Sequence, residues 1–356
     1  MKKRLLFTAN TLDIGGIEKA LINLLNNIDY SKYEVTLILE KKEGTFLKDL
    51  NKNVILKELK VSNSKIVPIR KLINLSRKLI FKLKNKNKYD FSCCYATYSY
   101  SANKLALIGS TNSSLYVHSN YKDLYNKEEF CEFFNTRNVD KFKHIIFVSN
   151  ESKDCFEKIY PSLKEKLVVI NNFIDTGNIK KLSEEKISLK KNNKTLLFVG
   201  RLDDSSKKLG RAINLVKNIS NIDLWIVGDG PDRYKYEALV TNNDLNDRIT
   251  FFGRKENPYP YMKECDYIIL TSDYEGFPVT YLEALVLGKT IITTIPVSDD
   301  KIDIRDYAYI ISKDEKEMVK EVKNILNDSK KNKSISIDDI QKERIKDLEN
   351  LFDEVI

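Results

Sequence analysis

The 356 residues are 42% hydrophobic and 31% charged, more than one core holds comfortably and far from the composition of a disordered chain. The net charge of +9 is concentrated: nine Lys and Arg and no Asp or Glu lie between Lys65 and Lys88, which excludes a protein that coats nucleic acid along its length. The five cysteines form no CxxC pair and read as reduced thiols in a cytoplasmic setting, and no run of about 18 apolar residues spans a membrane.

In chain order, "MKKRLLFTAN" has a basic start but an apolar run of only Leu5–Phe7, so it reads as a first strand rather than an export signal. "TLDIGGIEKAL" follows. Gly15 and Gly16 precede a helix expected to begin near Ile17, and the pair serves either a tight turn or a close approach to an anion at the helix N-terminus. Further apolar runs are Val35–Leu39, Val54–Leu59, Phe91–Tyr95, Leu115–His118, Ile145–Val148 and Leu167–Ile170. Between them, "PIRKLINLSRKLIFKLK" starts at Pro68 and predicts a cationic amphipathic helix. Leu72, Ile73, Leu79, Ile80 and Leu83 share a face, with Arg70, Arg77, Lys78, Lys82 and Lys84 largely elsewhere. It reads either as a core-packing helix with a solvated basic face or as a dock for anionic lipid. His118 closes one strand; His144 opens the next and reads as structural, with Ser149 and Asn150 just beyond that strand.

Asp175–Lys194 is polar and Lys-rich and is expected to be a linker. The second series of apolar runs is Leu196–Val199, Leu224–Val227, Ile249–Phe252, Tyr267–Leu270, Thr290–Thr294 and Tyr307–Ile311. "FVGRLDDSSKK" places Gly200 at a strand end. Arg201 and either Lys207 or Lys208 follow, cations suited to a diphosphate or simply exposed loop charges. "IVGDGP" offers Gly228 and Gly230 in a turn. In "EGFPVTYLEALVLGKTIITT", Glu275 precedes a helix expected from Val279 to Leu287, and Glu283 lies one turn inside it. Gly288 ends that helix. A carboxylate at either place can grip hydroxyls, or merely favour the helix N-terminus. The tail from Ile337 reads as one amphipathic helix.

Strand–helix alternation with near-continuous apolar strands predicts parallel sheets covered on both faces, and two such series predict two doubly wound domains. Such sheets bind ligands beyond the carboxyl ends of their strands, so the expected site is a cleft between the domains.

"EGFPVTYLEALVLGKTIITT" resembles the E-x7-E signature of the retaining glycosyltransferase family 4, and "GGIEKAL", "FVGRLDDSSKK", "VVINNFID", "WIVGDGP" and "ITFFGR" fall in that family's order. The resemblance covers most of the chain and is looser in its first half. It implies the α/β GT-B fold: an acceptor-binding Rossmann-like domain over 1–174, a nucleotide-sugar-binding one over 175–336, and a C-terminal helix over 337–356 that packs back on the first. By resemblance, Glu275 binds donor-sugar hydroxyls, Glu283 binds the ribose, and Arg201 with Lys207 (or Lys208) neutralises the departing diphosphate. Gly15 and Gly16 approach the donor diphosphate or the acceptor, Gly200, Gly228, Gly230, Gly276, Phe277, Val279 and Thr280 complete the donor site, and His118 approaches the reacting carbon. The implied activity is retaining transfer from a nucleotide sugar, by family habit a UDP-sugar, to a glycan or polyprenyl-linked glycan in capsule, exopolysaccharide or other glycoconjugate synthesis. A nucleotide-sugar epimerase of the same architecture is the alternative and needs no acceptor. "LDDSS" and "SDDKI" read as loop acids rather than a DxD motif, so neither metal nor cofactor is expected. The basic helix, Arg70–Lys84, would hold the enzyme at the inner face of the cell membrane.

Overall fold

A computed structural model describes residues 2–13, 15–59, 62, 64–189, 191–327 and 335–354. The chain divides into two compact units, one of 1–173 with 341–356 and one of 174–340. Within these, the expected tail residues Val355 and Ile356 and the side chain of Lys78 lie outside what is described.

The first unit is built on seven parallel strands: β1 (Lys3–Ala9), β2 (Tyr33–Leu39), β3 (Ile55–Glu58), β4 (Phe91–Cys94), β5 (Ser113–Val117), β6 (His144–Phe147) and β7 (Leu167–Val169). Their order is β3-β2-β1-β4-β5-β6-β7. The chain winds outward from β1 to β3, then restarts on the other side of β1, so the order reverses between β1 and β4. Leu5, Leu6 and Phe7 of β1 are fully buried, as strands covered on both faces require. The segment after residue 340 belongs to this unit: Phe352 packs 4.7 Å from Phe91 and 5.4 Å from Tyr33, and the Asn112 side chain donates to the Leu351 carbonyl at 2.8 Å. Burying a Phe of this kind contributes roughly 1.5–3 kcal/mol.

The second unit carries six parallel strands: β8 (Lys194–Val199), β9 (Ile222–Val227), β10 (Ile249–Gly253), β11 (Tyr267–Leu270), β12 (Thr290–Thr293) and β13 (Ala308–Ile310). Their order, β10-β9-β8-β11-β12-β13, reverses between β8 and β11. The helix Leu209–Asn218 buries Leu209, Ala212, Ile213, Leu215 and Val216 against Leu196, Phe198, Leu224 and Ile226 of the sheet, the three-and-four spacing of an apolar stripe. Every apolar run read as a strand is one, and the architecture is the expected pair of Rossmann-like α/β domains of the GT-B class.

Two local expectations differ. The segment read as a linker opens with a helix, Thr176–Ser183, whose N-cap Asp175 accepts from the Asn178 amide at 2.9 Å, and Asn257 donates to its Leu182 carbonyl at 3.0 Å. Its polar surface hid two buried residues, Ile179 and Ser183. The second concerns the basic helix, Val67–Asn85. Leu72, Leu79, Ile80 and Leu83 are 67, 54, 51 and 84% exposed, so these residues are not packed in a core.

Candidate active site

Glu275 and Glu283 sit where the strand order of the second unit reverses, the place at which an open α/β sheet diverges to leave room for a ligand. The loops after β8 and β11 are tied together there. The Asp273 amide donates to the Ser206 carbonyl at 2.8 Å, and the Thr271 hydroxyl to the Lys208 carbonyl at 3.0 Å. Arg211 reaches across from its helix to the Thr271 carbonyl at 2.9 Å and the Asp273 carboxylate at 2.7 Å.

This bracing separates the two candidate lysines. Lys208 takes a left-handed backbone (φ 50°) at the N-cap of Leu209–Asn218, and its ammonium lies 3.7 Å from Asp273. Lys207 points to Glu275, with 2.5 Å between Nζ and Oε1, and the Ser272 hydroxyl donates to the same oxygen at 2.7 Å. The Glu275 side chain is only 12% exposed and that of Lys207 25%, so the pair interacts in surroundings less screened than bulk water.

Beyond Glu275 the chain enters the helix Val279–Val286 through buried Gly276, Phe277 and Pro278. No side chain caps that N-terminus, and Pro278 has no N–H, which leaves the first-turn amides around Val279 and Thr280 as a positive pole. The entry is rigid. Phe277 meets Tyr281 edge-on at 6.0 Å, and the Tyr281 hydroxyl bonds Thr293 at 2.5 Å and the Ile295 carbonyl at 3.1 Å. Glu283, one turn inside, is buried and accepts from the Tyr259 hydroxyl at 3.1 Å. Burial, then the Glu283 charge, push the Tyr259 phenol well up, which keeps it a donor. The helix ends as its glycine requires: Gly288 has φ 63°, and the Lys289 amide reaches back to the Ala284 carbonyl at 2.9 Å.

Arg201 stands apart from that pair. Its side chain is 69% exposed and its guanidinium pairs with Asp203, an acid that "LDDSS" offered only as a loop residue. Gly228 and Gly230 have a packing explanation. A Cβ on Gly228 (φ 153°) would lie 1.8 Å from the Gly200 carbonyl oxygen, and one on Gly230 would lie 2.3 Å from that of Leu202. The loops after β8 and β9 are therefore pressed backbone to backbone.

In the first unit, Gly15 is the N-cap of Gly16–Asn27, and a Cβ there would meet the Glu18 carboxylate at 2.2 Å. That carboxylate folds back over the turn and accepts from the Tyr98 hydroxyl at 3.0 Å. Its partial burial raises its pKa, against the opposing pull of its own backbone amide and Tyr98. An anion at this helix start would face a carboxylate, so the Gly15–Gly16 turn suits hydroxyls better than phosphate. Ser149 caps Asn150–Ile159 by accepting from the Ser152 amide at 3.3 Å, and His144 pairs with Glu354 at 2.9 Å.

His118 lies just beyond β5, stacked on Tyr116 (4.7 Å, 6°) and against Tyr95 (4.5 Å). Its Nδ1 is 3.3 Å from the Asn172 side-chain oxygen, whereas Nε2 and the Tyr95 hydroxyl are buried without a hydrogen-bond partner. Burial lowers the imidazole pKa to about 3, so it is neutral near pH 7 with Nδ1–H donating to Asn172. The unfolded chain takes up a proton near the ordinary value of 6.5 and the folded one does not. Stability held by neutral His118 is therefore present above pH 6.5 and is lost as pH falls from there toward 3. His118→Asn should flatten that part of a melting-temperature profile; an unchanged slope would contradict a neutral buried imidazole.

Sequence reasoning missed Glu18, Tyr98, Tyr95 and Tyr259. Only Glu18, inside the quoted "GGIEKAL", carried a local signal, an acid in the first turn of a helix. Among the described residues no group of three or more His, Cys, Asp or Glu gathers as metal ligands.

Comparison with known proteins bears on this arrangement. Residues 14–178 match the Glycosyltransferase Family 4 model and residues 179–340 the model "Glycosyl transferases group 1". An uncharacterized glycosyltransferase of Methanocaldococcus jannaschii is 28% identical over 43% of this chain and 40% of its own length. The Campylobacter jejuni N-acetylgalactosamine-N,N'-diacetylbacillosaminyl-diphospho-undecaprenol 4-alpha-N-acetylgalactosaminyltransferase is 28% identical over 52% of this chain and 49% of its own length. The chain thus spans about half or less of these curated relatives. The crystal structure of Anabaena HepE in complex with UDP-glucose has a TM-score of 0.73 at 17% identity, covering 98% of this chain and 100% of that one, a likeness of fold.

Proposed function

With its second half matched to the glycosyl transferases of group 1 and its first to a companion glycosyltransferase model, this chain is a GT-B glycosyltransferase by family, and we propose that it moves a hexosyl-type sugar, with retention, from a UDP-sugar to a lipid-linked glycan. The observation that carries this reading is the Lys207–Glu275 pair at the strand-order reversal, directly ahead of an uncapped helix N-terminus.

Breaking a sugar–phosphate bond leaves positive charge on the sugar and negative charge on the diphosphate. In our reading, Lys207, the exposed guanidinium of Arg201 and the amides of Gly276, Phe277, Val279 and Thr280 receive the diphosphate, which stabilises the leaving group without recourse to a metal. Glu275 turns its carboxylate from Lys207 toward the donor-sugar hydroxyls. Glu283, preset by Tyr259, accepts from the ribose diol. Gly200, Gly228 and Gly230 shape the floor by letting strand-end loops close up. His118, neutral and with a buried, unpartnered Nε2, is the first unit's candidate for contacting the sugar near its reacting carbon, and Gly15–Gly16 with Glu18 offers hydrogen bonds suited to acceptor hydroxyls.

The name of the Campylobacter relative supports a polyprenyl-linked acceptor and a place in cell-surface glycan synthesis. Proton NMR of the product tests retention through the H1–H2 coupling at the new anomeric centre, and turnover that needs no acceptor would replace transfer by epimerisation. Excess EDTA should leave the rate unchanged; a rate restored only by added divalent ion would overturn the metal-independent mechanism.

The exposed apolar row and the cations of Val67–Asn85 support peripheral docking at the cytoplasmic face, and no helix among the described residues is long and apolar enough to cross a membrane. Near anionic lipid each Lys or Arg contributes about 1 kcal/mol. Arg70→Glu, Arg77→Glu, Lys82→Glu and Lys84→Glu together should abolish co-sedimentation with phosphatidylserine vesicles at low salt. Wild-type protein that stays in the supernatant would end this part of the proposal.

A further inference from the structure

Beneath the exposed face of Val67–Asn85 the first unit has an apolar groove of about 200 Å³, roughly six water-sized groups. Leu75 and Leu79 of that helix form one wall, and Leu105 and Ile108 of the helix Tyr100–Gly109 the other. Leu105 is buried in a small cluster with Leu6, Ile38 and Tyr89, so that wall is anchored to the sheet. Leu75 and Leu79 are over half exposed, so the opposite wall stands in water. Lys82 and Lys104 flank the groove, and the Lys104 ammonium is held 4.1 Å above the Tyr100 ring. Two cations with no acid along the outer helix favour an anionic occupant, and an aliphatic lining favours hydrocarbon over sugar or base.

We propose that this groove binds the hydrocarbon chain of the phosphate-bearing lipid that carries the acceptor glycan, with Lys82 and Lys104 beside its phosphate. The proposal rests on the lipid-linked acceptor of the preceding section and locates its chain. It differs from docking on the bilayer. The outward row that includes Leu83, 84% exposed, meets the membrane, whereas the groove between the helices takes one chain out of it. Each methylene buried there is worth about fourfold in affinity.

Calorimetric titration of the whole protein with farnesyl phosphate, below its micellar concentration, tests this. Saturable binding should appear, and inorganic phosphate should give none. Leu79→Glu, which places a charge in the lining, and Ser101→Trp, which fills the groove from the Tyr100–Gly109 helix, should each weaken farnesyl phosphate at least tenfold. Leu83→Glu should leave that affinity unchanged while reducing vesicle co-sedimentation. Absent binding, groove variants that bind like wild type, inorganic phosphate that binds as well, or an equal loss in Leu83→Glu would each overturn the assignment. Melting curves confirm that the variants fold; Leu79 is exposed enough for Leu79→Glu to cost little stability. UDP titrated in parallel separates the two ideas, because its failure to bind any variant or wild type would count against the donor site and not against the groove.

Discussion

Lys207→Ala should lower kcat by about 10²–10³-fold, the magnitude typical for removing one donor from a site where transition-state charge develops. The side chain is held for that role before any ligand arrives. Lys208, in a left-handed turn, lies beside Asp273, while Lys207 goes to Glu275 at 2.5 Å. Its loss leaves Glu275 bonded to Ser272, so the fold survives with a melting temperature lower by about 2–4 °C per kcal/mol lost. Lys208→Ala is the control and should cost far less activity. A Lys207→Ala enzyme that turns over at the wild-type rate, or a Lys208→Ala enzyme that is the slower of the two, would assign the phosphate contact elsewhere.

Glu275→Ala should weaken the donor through its sugar and not through its nucleotide. A carboxylate–hydroxyl bond contributes about 1.5–3 kcal/mol, so kcat/KM for the UDP-sugar should fall by at least tenfold and by about 100-fold where two hydroxyls are held. UDP itself should bind as well as before or better, because Lys207 loses its competing carboxylate. Equal losses for UDP and UDP-sugar would mean that Glu275 only braces the loop. Glu275→Gln sharpens the comparison: it retains an acceptor for Ser272 and removes only the charge facing Lys207.

Much of this was readable in the residues. The thirteen strands among the described residues were legible as apolar runs: the central ones, such as Ile268–Leu270 or Leu196–Val199, are unbroken aliphatic and aromatic because they are buried on both faces, whereas the edge strand Ile55–Glu58 is mostly exposed and was marked only by its short apolar start. The acid–helix–glycine–strand succession from Glu275 to Thr293 was legible for the same local reasons, since each step has its own chemical marker. What stayed hidden depended on contacts distant in sequence. Tyr259 meets Glu283 from another helix, and Tyr98 meets Glu18 across 80 positions. Which acid Lys207 and Lys208 each face depends on a left-handed backbone at Lys208 that no composition reveals. Gly15, Gly228 and Gly230 looked like ligand-facing glycines, and at each the missing Cβ makes room for the protein's own carboxylate or backbone. The helix Val67–Asn85 left two readings open in the sequence, core packing or a surface dock, and its leucines stand in solvent. Surface that costs free energy to expose is the kind of feature that function maintains.

Calorimetric titration of UDP, GDP and ADP into wild-type protein and Glu283→Gln tests the donor site most directly. Glutamine keeps the volume of the side chain and an oxygen for Tyr259, so the fold should persist while the charge we assign to the ribose diol is gone. One nucleoside diphosphate, expected to be UDP, should bind the wild type, and Glu283→Gln should weaken it by about tenfold or more. No binding by the wild type, or a Glu283→Gln protein with undiminished affinity, would contradict a donor site at this strand-order reversal.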